Sequence, residues 1–302
     1  MSRPLVTVGL PVFNGERYLA DAIDALRRQT YEELEIVICD NASTDTTLEV
    51  GRAAAADDPR IRVVTADRNR GASWNFNRAL DHARGSLFTW ASYDDLRAPT
   101  AIACCVDALQ AQGPATVLAY PGTLLIDEAG DEVGPFEDGF DLSDPSPLVR
   151  LRRLLEDANE YHPIFGVIRS EVLRATPRLG SFVASDVVLL AELALAGRWV
   201  RHPERLFLRR FHENTSLAAN PDVADRAAWF DPARRGGALT PCTRVGAELL
   251  RAVGRSPLGG ADRARAMRIV LASWYGRQWR TVGGEVKRSA RRALARSTGG
   301  RA

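Results

Sequence analysis

The sequence predicts an α/β protein with a mostly parallel central sheet flanked by helices and a helical extension at its C-terminal end. Three observations predict it. Short apolar β-rich runs alternate with helical patterns over the first hundred residues, polar clusters close each run, and beyond about residue 220 the pattern is helical alone. Strands alternating with helices imply right-handed βαβ units and parallel pairing.

Taken in order, Leu5 to Leu10 reads as a strand closed by Pro11. Leu19, Ala22, Ile23 and Leu26 then fall on one face of a helix. Leu34 to Cys39 is a second strand, ending at Asp40-Asn41-Ala42-Ser43-Thr44-Asp45, whose polar groups can cap a helix from Leu48 to Ala56. Ile61 to Val64 is a third strand, and a helix is expected from about Ser73 to Ala83. A further helix passes through Ile102, Val106 and Leu109, followed by strands at Ala115 to Tyr120 and Leu124 to Ile126 and a hairpin turn at 127–132. Residues 134–147 read as loop and 148–155 as helix. Val187 to Ala191 reads as a helix buried all round, and Val200 and Leu206 to Phe211 as short strands. Met267, Val270, Leu271 and Trp274 form a helical apolar stripe.

Leu87 to Asp95 draws most notice, because an apolar run ends there in two adjacent carboxylates. Like charges side by side cost free energy unless solvent or a cation relieves them. Acidic or polar groups also end other strands, at Asn14 and Glu16, Asp40 and Asn41, and later Asp186. Strand ends of a parallel sheet lie along one edge, so the first three groups should share a crevice. Such a crevice, with no cluster of lysines, suits phosphates once Mg²⁺ or Mn²⁺ is added, since Mg²⁺ takes one or two carboxylates and completes its shell with phosphate oxygens.

Bulk properties narrow the alternatives. With 302 residues, 45% hydrophobic and 26% charged, the chain can bury a real core. A net charge of +2 argues against nucleic-acid binding. Lys287 is the only lysine among forty basic residues, a skew that reflects base composition more than mechanism. The four cysteines show no metal-ligand spacing and read as buried hydrophobes of a reducing compartment. No signal segment and no run near 18 apolar residues is visible, so a cytoplasmic location is expected.

Several ordered motifs resemble the family 2 glycosyltransferases, which have the GT-A fold. They are the run from Thr7 to Leu19, Gln29-Thr30-Tyr31, Glu35 to Asp45, Asn69-Arg70-Gly71 with Asn77, and Asp94-Asp95 at the place of the family's Asp-x-Asp element. The resemblance is looser from 160 to 217 and absent beyond about 220. It implies a nucleotide-diphosphate sugar donor and a divalent metal. By analogy Pro11, Phe13 and Glu16 line the nucleoside pocket with Asn14 turning beside it. Asp40 would hydrogen-bond the nucleobase, and Asn41 and Asn77 belong to the same donor blocks. Asp94 would face ribose and metal, and Asp95 would ligate the metal. His212 would be a further metal ligand or diphosphate contact, with Arg210 as charge stabiliser. Ser92 stands where many members have a carboxylate.

Asp186 is the expected base, because direct displacement at an anomeric carbon needs a carboxylate to take the acceptor's proton. Members often have Glu before it, where this chain has Ser185. The plainer readings are an Asx turn at Asp40, a helix cap at Asp186, a structural His212 and a loop role for His162.

The resemblance divides the chain into a nucleotide-sugar-binding half (1–120), an acceptor-binding half of the same domain (121–218) and a helical extension (219–302). Acceptor specificity is expected in 134–180. The expected activity is metal-dependent inverting transfer to a hydroxyl of a glycan, glycolipid or small molecule. One alternative is a non-catalytic nucleotide-sugar-binding module. A sugar-phosphate nucleotidyltransferase would need a Gly-rich loop and a downstream lysine that are not seen here. Arg288, Arg291, Arg292 and Arg296 would share one face of a terminal helix, either solvated or resting peripherally on an anionic membrane.

Overall fold

The computed structural model describes residues 3–137, 141–157, 160–213, 222–234, 240–285 and 287. Nine strands among them form one sheet in the order β3-β2-β1-β4-β8-β6-β9-β5, with β7 paired to β6. Parallel pairing joins β1 (Val6–Val12), β2 (Leu34–Asp40), β3 (Ile61–Thr65) and β4 (Leu87–Trp90). Two long strands, β6 (Thr116–Ile126) and β9 (Arg198–Arg210), are also parallel. Antiparallel pairs come only from the shorter β5 (Leu96–Arg97), β7 (Glu132–Phe136) and β8 (Val167–Arg169).

The pleat sends alternate residues of β2 to two separate cores. Leu34, Ile36 and Ile38 meet Leu19, Ile23 and Leu26 of α1 (Leu19–Arg27), Ala54 of α2 (Thr47–Asp57) and the apolar face of α4 (Ala101–Ala111). Val37 and Cys39 face the other core, formed with α3 (Ala72–Asp81), α5 (Pro147–Glu156), α7 (Ser185–Ala196), α9 (Pro241–Arg255) and α10 (Gly260–Ile269). Two shorter helices, α6 (Ser170–Arg174) and α8 (Val223–Phe230), lie between these elements in sequence. Val245, Leu249 and Val253 of α9 pack in the same core as the sheet, so the C-terminal helices are part of the domain.

Four expectations are corrected. Strand β1 continues through Pro11. In β1 the odd residues bond toward β4, as Gly9 does when it accepts from Ala91, and the even ones toward β2. Pairing with β4 ends at Gly9, so Pro11 lacks an N–H on a side where no strand remains to use it. Residues 116–126 form one strand, as do 198–210, because register shifts around Pro121 and Gly122 absorb the turn residues. Part of the expected loop at 134–147 is β7, the return strand of the hairpin. In the 267–274 stripe Val270 and Trp274 are buried, but Met267 and Leu271 are exposed. A π-helical turn at Val270–Tyr275 changes the phase on which the stripe depends.

The division at residue 120 falls inside β6. All four cysteines are free thiols. No helix among the described residues is long and apolar enough to cross a membrane. Of the basic tail, Arg288, Arg291, Arg292 and Arg296 lie outside the described residues.

Candidate active site

At the ends of β1 and β2 two loops are laced together. The Asn14 amide donates to Ser43 Oγ at 2.9 Å, and its Oδ1 accepts from the Thr44 amide at 2.9 Å. Asn14 has φ of +50°, in the left-handed region that Asn tolerates better than most residues. The Glu16 carboxylate accepts from the Thr46 amide and hydroxyl at 3.1 and 2.8 Å, while the Glu16 amide donates to Asp45 at 3.2 Å. Pro11 is buried and Phe13 is exposed at the lip.

Asp40 is buried, and its carboxylate accepts from the Ser43 amide three residues on at 3.2 and 3.3 Å, which closes the turn without the two-residue bond of an Asx turn. Asn41 reaches the next loop. Its Nδ2 donates to Asn69 Oδ1 at 3.0 Å, and its Oδ1 accepts from the Arg70 amide at 3.1 Å. Gly71 closes that loop with φ of +86°, a conformation suited to glycine. Asn77 faces elsewhere. Its carboxamide exchanges bonds of 2.8 and 3.1 Å with the Leu179 backbone, holding the segment that leads to Asp186.

The acidic pair comes together with Arg209, Arg210 and His212 from the end of β9. Asp94 Oδ2 lies 3.0 Å from His212 Nε2, and its Oδ1 accepts from the Ser92 hydroxyl. Asp95 Oδ1 accepts from Arg209 Nη1 and from the Arg210 amide, both at 2.9 Å. Its Oδ2 is buried without a hydrogen-bond partner. Arg210 is buried too, donating from Nε to the Asp94 carbonyl at 2.9 Å and from Nη1 to the Glu128 carbonyl at 2.7 Å. Its guanidinium stacks 4.7 Å from the Tyr18 ring, which also meets the His212 ring at 4.8 Å and the Arg17 guanidinium at 4.9 Å.

These surroundings separate two carboxylates that adjoin in sequence. Burial pushes both pKa values up. For Asp94 the His212 bond, the Arg209 charge and the Ser92 hydroxyl outweigh burial and hold it below the ordinary range. For Asp95 burial prevails over Arg209, with Asp94 adding to the rise, and its pKa is raised.

Asp186 stands in the first turn of α7, after Ala184 at φ +61°. A non-glycine residue held there is strained and fixes how the helix starts. The cap position of α7 is Ala184, two residues before Asp186, so Asp186 is not the cap residue, although its carboxylate meets the amides of its own turn. The residue is half-buried, and loss of hydration pushes its pKa up against those amides. The structure gives no direct bond between Asp186 and the acidic pair. The charge of Arg209 also acts on Glu160, and that of Asp186 acts on Tyr161.

Sequence reasoning missed several of these groups. Asn75 donates to the carbonyls of Val12 and Cys39 at 3.3 and 2.7 Å, tying β1 to β2 at the crevice. A polar residue on the buried face of α3 was the available signal. The loop role expected for His162 falls on a short 3₁₀ turn, His162–Phe165; the His162 ring lies 3.1 Å from Thr123 Oγ1, far away in the chain, and 2.9 Å from the Glu160 carboxylate two residues before it.

A divalent metal can be tested against these residues. Among the described residues no three His, Cys, Asp or Glu side chains gather closely enough to enclose an ion. Asp94 with His212 fits an ion that completes its shell with phosphate oxygens and water. Asp95 fits a supporting place, because Arg209 and a backbone amide hold one oxygen and burial encloses the other.

Comparison with known proteins bears on this site. The model for glycosyl transferase family 2 matches residues 7–170. An uncharacterized glycosyltransferase of Rickettsia felis is 34% identical over 43% of this chain and 21% of its own length. One of Haemophilus influenzae is 26% identical over 74% of this chain and 71% of its own. The chain thus spans about a fifth of the length of several of its curated relatives. Among solved structures, S. aureus TarS 1-349 in complex with UDP-GlcNAc matches with a TM-score of 0.64 at 16% identity, over 90% of this chain and 73% of that one. The mannosyltransferase PcManGT of Pyrobaculum calidifontis, in complex with GDP-Man and Mn²⁺, matches at 0.54 and 19% identity, over 97% and 88%. These likenesses show the fold, the GT-A arrangement expected from the sequence.

Proposed function

Because the chain belongs to glycosyl transferase family 2, a glycosyl-transfer role is its premise, and we propose that it is metal-dependent and inverting. The donor is a nucleotide-diphosphate sugar and the acceptor a hydroxyl of a glycan, glycolipid or small molecule. The observation that carries the proposal is the pairing of Asp94 with His212 at 3.0 Å beside the laced loops at 13–16 and 40–47. Pro11, Phe13, Asn14, Glu16, Asp40 and Asn41 would form the nucleoside end. Complexes of structural neighbours with UDP-GlcNAc and with GDP-Man and Mn²⁺ support the choice of donor and metal.

In this proposal Asp94 and His212 hold Mg²⁺ or Mn²⁺, which when bound stabilises negative charge on the leaving diphosphate. Asp95 acts behind Asp94. With Arg209 and the Arg210 amide it fixes the turn on which Asp94 stands. Arg210 contributes by clamping the Asp94 carbonyl to the turn at Glu128. Asp186 takes the acceptor's proton, and its raised pKa strengthens it as a base at neutral pH. Asn77 places Asp186 through the 179–180 segment. Inversion predicts a product of opposite anomeric configuration to the donor, and NMR of the product that showed retention would refute it.

A thermal-shift screen of nucleoside diphosphates and nucleotide sugars tests the donor end. Stabilisation by one nucleotide family should require Mn²⁺ and should vanish in Asp94→Ala. Equal stabilisation with EDTA would overturn the metal assignment.

A further inference from the structure

On the α5 side of the molecule a groove of about 520 Å³ runs between that helix and the C-terminal helices. Its walls are Leu148 and Val149 from α5 facing Ile269 and Ala272. Arg152, Arg265 and Arg268 stand at its rim, and all three are exposed. Arg265 pairs with Asp262 at 3.1 Å, whereas Arg152 and Arg268 make no ion pair among the described residues. Glu156, the one carboxylate of the lining, accepts from the Ser273 hydroxyl at 2.5 Å. In the same C-terminal segment, outside the groove's lining, Leu271 is exposed on the π-helical turn, and Trp279 is 64% exposed with Arg280 stacked 5.3 Å from its ring.

We propose that this groove face docks on the headgroup layer of an anionic lipid bilayer. Charge complementarity selects the occupant. Arginines around an apolar channel, with an exposed Trp and Leu in the same segment, suit phosphate headgroups above acyl chains. Helix α5, one wall of the groove, leads in sequence toward Tyr161. Arg277 donates to the Leu155 carbonyl at 3.3 Å at the end of α5, and its charge acts on Tyr161, the neighbour of Asp186. A bilayer held there would bring a membrane-borne acceptor to the base. That last step rests on the proposed function; docking itself does not.

Flotation of the full chain with vesicles tests the docking. Binding to phosphatidylcholine vesicles with 30% phosphatidylglycerol is expected, with little binding to phosphatidylcholine alone. Arg152→Glu with Arg268→Glu should weaken binding at least about 25-fold, roughly fivefold per arginine. Leu271→Ser with Trp279→Ser, a second route if the first pair unfolds, should weaken it about tenfold. Both pairs should keep Mn²⁺-dependent stabilisation by nucleotide, a readout independent of lipid. Equal binding to both vesicle types would overturn the proposal. So would binding lost only on deleting 288–302, or binding abolished by millimolar inorganic phosphate, which would mark a simple anion site.

Discussion

Asp94 and Asp95 adjoin in sequence, yet one faces His212 and the other is closed in with Arg209. Their substitutions should therefore differ in kind. Asp95→Ala leaves Arg209 poorly paired and should cost about 3 kcal/mol of stability, read by denaturant unfolding. Asp94→Ala strips buried His212, and Ser92, of this partner and should also cost about 1–3 kcal/mol at neutral pH, but it alone should remove the metal requirement together with donor binding. Asp186 separates stability from rate. Its pKa is raised, so the native state holds that proton more tightly than the unfolded chain, whose Asp titrates near about 3.9. Its stabilising effect is full below the unfolded value and is lost as pH rises through the native pKa. The base works in the opposite direction, so the rate should fall on the acid side at a pH above that of an ordinary aspartate. Asp186→Asn should raise the melting temperature at pH 7 and lower turnover by about 10²–10⁴-fold.

Among the elements, the loop at 69–71 is tied to Asn41, one of the residues proposed for the nucleoside end. A Cβ on Gly71 would lie 2.4 Å from the Phe230 carbonyl, and its φ of +86° already disfavours any side chain. Gly71→Ala should cost about 1–2 kcal/mol or more. It should also weaken nucleotide binding, because Asn41 is held by that loop; titration calorimetry reads the second effect. Elements of this kind show what the sequence discloses. The strand-helix alternation through residue 111 was legible because each element carries its own apolar period and is closed by turn residues, although none of these helices has a side-chain cap bond. Strands β6 and β9 were read in pieces, since Pro121, Gly122 and Pro203 look like terminators when the pairing that spans them is not visible. Asp94, His212 and Asp186 were legible as motif positions. Arg209 was not, because its partner Asp95 lies far away in the chain.

For the molecule as a whole, the C-terminal helices complete the core that begins at β2. A chain ending at residue 234 would expose the partners of Val245, Leu249 and Val253, each worth about 1.5–3 kcal/mol. That loss matches the entire net stability of a typical domain, about 5–15 kcal/mol, so such a chain should lose cooperative thermal unfolding. Nothing in the family motifs points to this, since they end before α9 and the helical pattern there does not say what it packs against.

The central claim is that Asp94 with a metal and Asp186 without one divide the work of glycosyl transfer. Release of nucleoside diphosphate from the screened donor, with acceptor present, tests it most directly in the wild type, Asp94→Ala and Asp186→Asn. Release should require Mn²⁺ or Mg²⁺ and be lost in both variants, while Asp186→Asn still binds the donor. Undiminished release in EDTA or in Asp94→Ala would contradict the account.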